Sequence, residues 1–246
     1  TGIDDEPPIH LFVMGANKWR FENEWPLART QWTRFYLDSR GDAATEGGKL
    51  SGESTGGAGE SEPNRFAYDP AAPVPSWGAQ YQSFDLCGPR DRREIERRPD
   101  VLVYDSEPLP ADLEVTGPVS AVIYLATSAL DTDLTAALVD VEPDGKAIIL
   151  CEGISRGRFR SGTDHPELMT PGDIYELRID MWDTSNLFKA GHRIRLEVSS
   201  SNFPRYERNL NTGNPSITDT EMVVAEQTVY HDPDHPSHLL LPIVTA

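Results

Sequence analysis

Residues Pro118 to Arg160, PVSAVIYLATSALDTDLTAALVDVEPDGKAIILCEGISRGRFR, decide how the chain is read. Val119, Ala121, Ile123 and Leu125 fall on one face at period two, among the β-branched and aromatic residues that suit a pleated surface. A Ser-Ala-Leu-Asp-Thr-Asp turn comes next, and Leu134 to Val141 is apolar again. Asp144-Gly145 supplies the positive-φ positions of a tight hairpin, and Lys146 to Cys151 returns antiparallel. A hairpin of this length cannot stand alone in water, so other segments must cover it. That places it in the middle of a sandwich.

Working outward, the same signature recurs. Tyr175, Leu177, Ile179 and Met181 alternate with Glu176, Arg178 and Asp180 across Asp173 to Trp182, and Ile194, Leu196 and Val198 repeat the pattern after an Ala190-Gly191-His192 turn. Val223 to Tyr230 and His238 to Val244 read as closing strands. Upstream, Thr1 to Pro8 is an acidic arm and Ile9 to Met14 a first strand. Asn17 to Pro26 reads as a polar loop carrying Trp19 and Trp25, and Thr33 to Asp38 as a second strand. Residues 39 to 64 are rich in Gly, Ser and Glu and are expected to form an exposed loop around one short strand at Leu50. Phe66 to Pro75 is stiffened by prolines, and Val101 to Asp105 is a strand. With 20 prolines, 19 glycines and no amphipathic helix, the expectation is an all-β fold. It takes the form of one jelly-roll β-sandwich over residues 9 to 246.

Composition narrows the function. Against 22 basic residues stand 40 acidic ones, a net charge of −18, and no basic stripe is available for a phosphate backbone. Asp91 to Asp100, DRREIERRPD, is the one basic cluster and reads as a solvated turn. No apolar run is long enough to span a bilayer, and no basic-then-apolar leader opens the sequence, which favours a cytoplasmic protein. Cys87 and Cys151 are the only cysteines, too few for a disulfide scaffold, and whether they pair stays open.

Three groups invite a chemical reading. Gly52-Glu53-Ser54-Thr55-Gly56 and Gly153-Ile154-Ser155-Arg156-Gly157 match G-x-S-x-G, but the motif carries a nucleophile only on a strand-to-helix elbow. Neither site is followed by a helix pattern. His231 to His238 holds three histidines and two aspartates, yet its two prolines keep the segment extended, so a polar lead-in to the last strand is preferred over a metal site. Asp131, Asp133 and Asp140 are expected to cap backbone N–H groups near turns, not to hold calcium. No metal and no cofactor is implied. The most informative apolar residues are Trp19, Trp25, Trp32 and Trp77, because loop aromatics are either end plugs or interface anchors.

Phe12-Val-Met-Gly15, Trp19-Arg20, Trp25-Pro26, Tyr68-Asp69-Pro70, Pro73-Val-Pro75, Asp131-Thr-Asp133, Val139-Asp140 and Pro143-Asp-Gly145 occur in one order. Ser199 to Pro204, Arg208-Asn209, Asn211-Thr-Gly213 and His235-Pro-Ser-His238 continue it. Together, from Ile9 to Val244, they resemble the C-terminal domain of the cocaine-esterase and X-prolyl dipeptidyl-peptidase family of serine hydrolases. The resemblance implies a galactose-binding-like jelly roll and a catalytic Ser-His-Asp triad located in a preceding α/β-hydrolase domain. None of the six histidines here matches the family's catalytic one. The chain is thus expected to be inactive alone, to pack on the α/β-hydrolase domain of the same polypeptide and to help wall its substrate cleft. By resemblance Tyr81 and Phe84 border that cleft. Trp19, Trp25, Asn202, Phe203 and Arg205 are the candidates for the interdomain contact, because they sit in long, aromatic, hydrogen-bond-rich loops. A homodimer is left open. The rival expectation is a carbohydrate-binding or other interaction module, with Trp77, Gln80 and Gln82 as its platform.

Overall fold

Strands form where apolar and polar residues alternate between Gly, Pro or Asp turns. A computed structural model of the chain contains thirteen strands among its described residues, which are 2–41, 43–44, 47–52, 61–80, 85–215 and 218–245. In chain order these are β1 (Ile9–Val13), β2 (Lys18–Glu22), β3 (Thr30–Asp38), β4 (Gly48–Ser51), β5 (Asn64–Tyr68), β6 (Leu102–Asp105) and β7 (Leu113–Thr127). They continue with β8 (Asp133–Val141), β9 (Ala147–Arg156), β10 (Ile174–Phe188), β11 (Arg193–Ser199), β12 (Ala225–Tyr230) and β13 (His238–Val244). Short 3-10 turns at Gly2–Asp5 and Gly157–Phe159 are the helical elements among the described residues.

The long strand β7 is the organising element. Val119, Ala121, Ile123 and Leu125 point into the core and are fully enclosed, as the period-two reading requires. One edge of β7 is taken by β10 along nearly its whole length, and the other is shared by β12 and β13. From there one hydrogen-bonded path runs β5-β12-β7-β13-β3-β4-β6-β11-β8-β9. It folds over at β4, which pairs antiparallel with β3 and parallel with β6, so that β10 packs across the core on β8 and β9. The result is a β-sandwich with Tyr68, Tyr104, Phe188 and a bed of Leu, Ile and Val between its layers. The β8–β9 hairpin turns at Asp144-Gly145, where Gly145 has φ +86° and the Lys146 N–H donates to the Asp144 carboxylate at 3.0 Å.

Four local expectations need correction. Asn17 to Pro26 is not simply a loop: Lys18–Glu22 is a strand pairing antiparallel with β1, Phe12 opposite Trp19. Its alternation is short and crowded with charge, and the turn that enables it depends on positive φ at Gly15 and Asn17. β10 does not end at Trp182 but runs on to Phe188, past a bulge between Asp180 and Asp183 where Trp182 adopts φ +65°. The bulge resets the alternation, so a strict period-two pattern stops at it and misses the second half of the strand. Residues 39 to 64 are only partly an exposed loop: Ala43 and Leu50 are core residues and β5 begins at Asn64, while 53–60 lie outside the described residues. The segment from Asp91 to Asp100 is not merely solvated, because Arg92 is buried against Glu197.

Candidate functional site

The second G-x-S-x-G match lies in β9, the last strand of the ladder, where Ser155 pairs with Leu134. Its glycines are there for close approach. A Cβ on Gly153 would stand 1.9 Å from the Asp180 carbonyl oxygen of β10, and one on Gly157 would meet the Met169 sulfur at 2.3 Å. The strand then runs into the three-residue turn Gly157–Phe159, with no helix to offer oxyanion donors. Ser54 of the first match lies outside the described residues.

The three histidines near the C-terminus each bond different groups. His231 Nδ1 bonds Ser61 Oγ at 2.7 Å and its Nε2 bonds Asn64 Oδ1 at 3.1 Å. His235 Nδ1 pairs with Asp232 at 3.0 Å, and His238 Nδ1–H donates to the Pro236 carbonyl at 2.8 Å. The described residues contain no group of three His, Cys, Asp or Glu side chains arranged for a metal. Cys87 and Cys151 are not joined in a disulfide.

The aspartates act mostly through arginines. Asp131 does take the Arg158 N–H at 2.8 Å, a backbone cap, but it also accepts Arg158 Nε at 2.7 Å. Asp133 is held by Arg156 through two bonds at 2.8 and 3.0 Å, and the Asn209 amide bridges both carboxylates at 2.8 and 2.9 Å. Burial pushes the Asp133 carboxyl up, and the Arg156 and Asn209 donors oppose that rise. Asp140 pairs with His192 Nδ1 at 2.8 Å. The Asp131–Asp133 cluster pins the 203–213 loop to the end of the sandwich.

A second buried network holds the preceding part of that loop. Arg92 forks onto Glu197, and Arg205 Nη1 donates to the enclosed Glu152 at 2.8 Å. Between them is a cavity of about 10 Å³ lined by Arg92, Glu152, Glu197, Ser201 and Asn202, room for about one water. The loop is tied down further by Phe203 N–H to Val74 O (2.9 Å), Ser76 N–H to Phe203 O (2.7 Å) and Arg205 N–H to Ser76 Oγ (2.9 Å). Each of these links joins residues far apart in sequence.

What this scaffold presents outward is aromatic. Phe203 and Trp25 are partly exposed, each followed by a cis proline. The Trp25 Nε1–H donates to Asp183 at 3.2 Å, beside the bulge that turns Trp182 out to 61% exposure. Gln80, Trp182, Asp183 and Arg205 line an open cleft of about 450 Å³. Nearby, β1 and β2 form a separate two-stranded ribbon whose one face is His10, Phe12, Trp19 and Phe21. His10 stacks on Phe21 with ring centres 4.1 Å apart, and Phe12 meets Trp19 edge-on at 5.4 Å. All four are exposed, Trp19 at 64%.

The residues singled out from sequence fare unevenly. Trp19, Trp25 and Phe203 do lie at the surface, but Asn202 is buried and the Arg205 side chain is largely enclosed against Glu152, so any contact made by that loop runs through Phe203. Tyr81 and Phe84 lie outside the described residues; Gln80, just before them, is on the wall of the cleft. Trp77 bonds the Asp91 carbonyl at 3.1 Å and carries Arg90 over its ring at 5.6 Å, so that ring face is already used. Trp32 stands half-exposed on β3. Trp182, His10, Phe12 and Phe21 were missed. The signal for the ribbon was the alternation of Trp19 and Phe21 with Arg20 and Glu22; the signal for Trp182 was a large apolar residue breaking a perfect alternation.

The described residues form a β-sandwich with a firmly braced end that carries exposed aromatic side chains. Residues 1–240 match the profile of the X-Pro dipeptidyl-peptidase C-terminal non-catalytic domain, and the chain is a member of that family. It is 49% identical over 244 residues to cocaine esterase from Rhodococcus sp. (strain MB1 Bresler), covering 97% of this chain and 42% of that protein. Among solved structures, an aminopeptidase from a marine sediment Thaumarchaeota archaeon superposes with a TM-score of 0.86 at 29% identity, covering 98% of this chain and 41% of that one. An α-amino acid ester hydrolase superposes at 0.84 and 27% identity, covering 96% and 41%. The chain thus spans about two fifths of the length of these relatives.

Proposed function

We propose that this chain is the accessory C-terminal domain of a serine hydrolase acting on acyl esters or X-Pro peptides. It packs on an α/β-hydrolase domain of the same polypeptide and walls one side of its substrate cleft. The observation that carries the reading is the braced sandwich end. Two buried ion-pair networks rigidify the loop that presents Phe203 outward, Trp25 is held by its bond to Asp183, and Trp19 is exposed on the adjoining ribbon. Rigid loops with exposed aromatic anchors are what an interface needs. The cleft beside Gln80 adjoins the segment that carries Tyr81 and Phe84, in keeping with a role at the border of a substrate site.

The division of labour is testable with a serine-reactive phosphonate on the complete polypeptide. Labelling is expected at a serine outside residues 1–246, and stoichiometric labelling of Ser54 or Ser155 would refute the assignment. In the same protein, Phe203→Ala is expected to raise KM with a smaller effect on kcat. An unchanged KM and unchanged thermal stability would remove Phe203 from both contact and cleft.

A further inference from the structure

We infer that the open face of the β1–β2 ribbon is the docking face proper, covered by an uncharged, apolar surface of the catalytic portion, while the Trp182 cleft stays in contact with solvent. This rests on the accessory-domain reading and divides its surface in two.

The ribbon is unlike any other part of the molecule. It is not in the main ladder, and it is anchored from one side only. Met14 N–H donates to Ser185 O at 2.9 Å, Leu187 N–H donates back to Met14 O at 2.8 Å, and Arg20 forks onto Glu114 at 2.8 and 2.6 Å. Gly15 sits so close to Leu187 that a Cβ there would be 2.2 Å from its carbonyl oxygen, so the ribbon is clamped and not merely draped. Val13 and Glu22, on the inner face, are buried. The outer face is four rings in mutual contact with no carboxylate, ammonium or guanidinium among them. Two-stranded ribbons are marginal by themselves, and contiguous exposed aromatic surface is what protein partners cover.

The Trp182 cleft has the opposite chemistry. Asp183, Arg205 and Gln80 share it with the indole, and burying the exposed Asp183 carboxylate under a partner would cost desolvation that covering the ribbon does not. Its concavity and mixture of one ring with a few polar groups suit a ligand-facing wall. Trp182 is held there in a left-handed conformation, its N–H donating to Asp180 at 2.9 Å. Strain of that kind, on the order of 1–3 kcal/mol, is tolerated where a side chain must be aimed.

Connectivity names the occupant. In the relatives of this family the matched region is the C-terminal part of a hydrolase, so the rest of the polypeptide arrives through the segment matching Thr1 to Pro8. That tether reaches at most about 28 Å when fully extended, and β1 begins at its end. A catalytic portion so tethered is presented to the ribbon before any other face, at a high effective concentration.

Trp19 and Trp182 are almost equally exposed here, 64% and 61%, which makes a direct experiment. Hydroxyl-radical footprinting of the complete polypeptide should oxidise Trp19 about tenfold more slowly than Trp182, as full burial in an interface core requires. Equal oxidation of the two overturns the ribbon assignment. In that event, slow oxidation of Trp25 and Phe203 leaves domain packing standing, whereas rapid oxidation of all four removes the packing reading as well. Protection of both Trp19 and Trp182 overturns the division into two surfaces.

Discussion

Two hairpins in this molecule obey the same local rules and end in opposite situations. β8–β9 turns at Asp144-Gly145, β1–β2 at Gly15 to Asn17, and both use positive φ to close antiparallel strands. In β8–β9 nearly every side chain of β8 is enclosed, with β10 packed on the hairpin and Ala79 clustered with Ala137, Val139 and Val141. In β1–β2 the outer face is four open rings. The comparison teaches that a hairpin's sequence specifies how it turns, while its contribution depends on whether a second layer covers it. For β8–β9 the cover lies within this chain. For β1–β2 we have assigned it to the catalytic portion.

The comparison can be broken first at the buried end. Asp133→Ala takes the Arg156 guanidinium's buried acceptor and one of the two acceptors of the Asn209 amide, and a severed buried pair costs about 3–5 kcal/mol. A urea midpoint unchanged by that substitution would mean the network braces nothing. Next comes pH. Burial and the neighbouring Glu197 charge push the Glu96 carboxyl up to about 7. Because its folded value lies above the unfolded one, its stabilising contribution is complete below about pH 4.5 and is lost as pH rises toward 7. The loss should be about 2–3 kcal/mol, and Glu96→Gln should flatten that part of the stability–pH curve. A wild-type curve already flat between those values would contradict it.

Smaller effects sharpen the contrast. Gly153→Ala drives a methyl into the Asp180 carbonyl and should cost about 1–3 kcal/mol by prising β9 from β10, visible as a lower Tm. Smallest is Trp19→Ala. Within this domain it removes two ring contacts worth together about 1 kcal/mol. In the complete polypeptide the same substitution should lower the unfolding temperature by clearly more than it does in the domain alone. Equal shifts in the two settings would leave the ribbon face without its assigned cover.

Much of the scaffold is legible in the residue order. Alternation assigns Val119 to Leu125, Leu177 to Met181 and Ile194 to Val198 inward, and all are core residues apart from the outward positions between them. The Asp144-Gly145 turn is legible for the same reason: turn chemistry is local. The site is less so. Trp19, Trp25, Phe203 and Arg205 stand out as loop aromatics and polar neighbours, but Trp182 is hidden because a bulge appears only when two strands fall out of register. Asn202 misleads because its polarity suggests solvent, whereas it faces an internal ionic cavity.

By itself, then, the amino-acid order determined most of the strands, their inward faces, the tight turns and the family. Only the tertiary structure decided which arginine neutralises which carboxylate, why Gly153 has no side chain, where the histidines go, and which aromatic rings are left open. The physical reason is range. Alternation and turn propensity are properties of neighbours, while ion pairs such as Arg92–Glu197, 105 residues apart, and close approaches such as β9 on β10 exist only once distant segments share the same space.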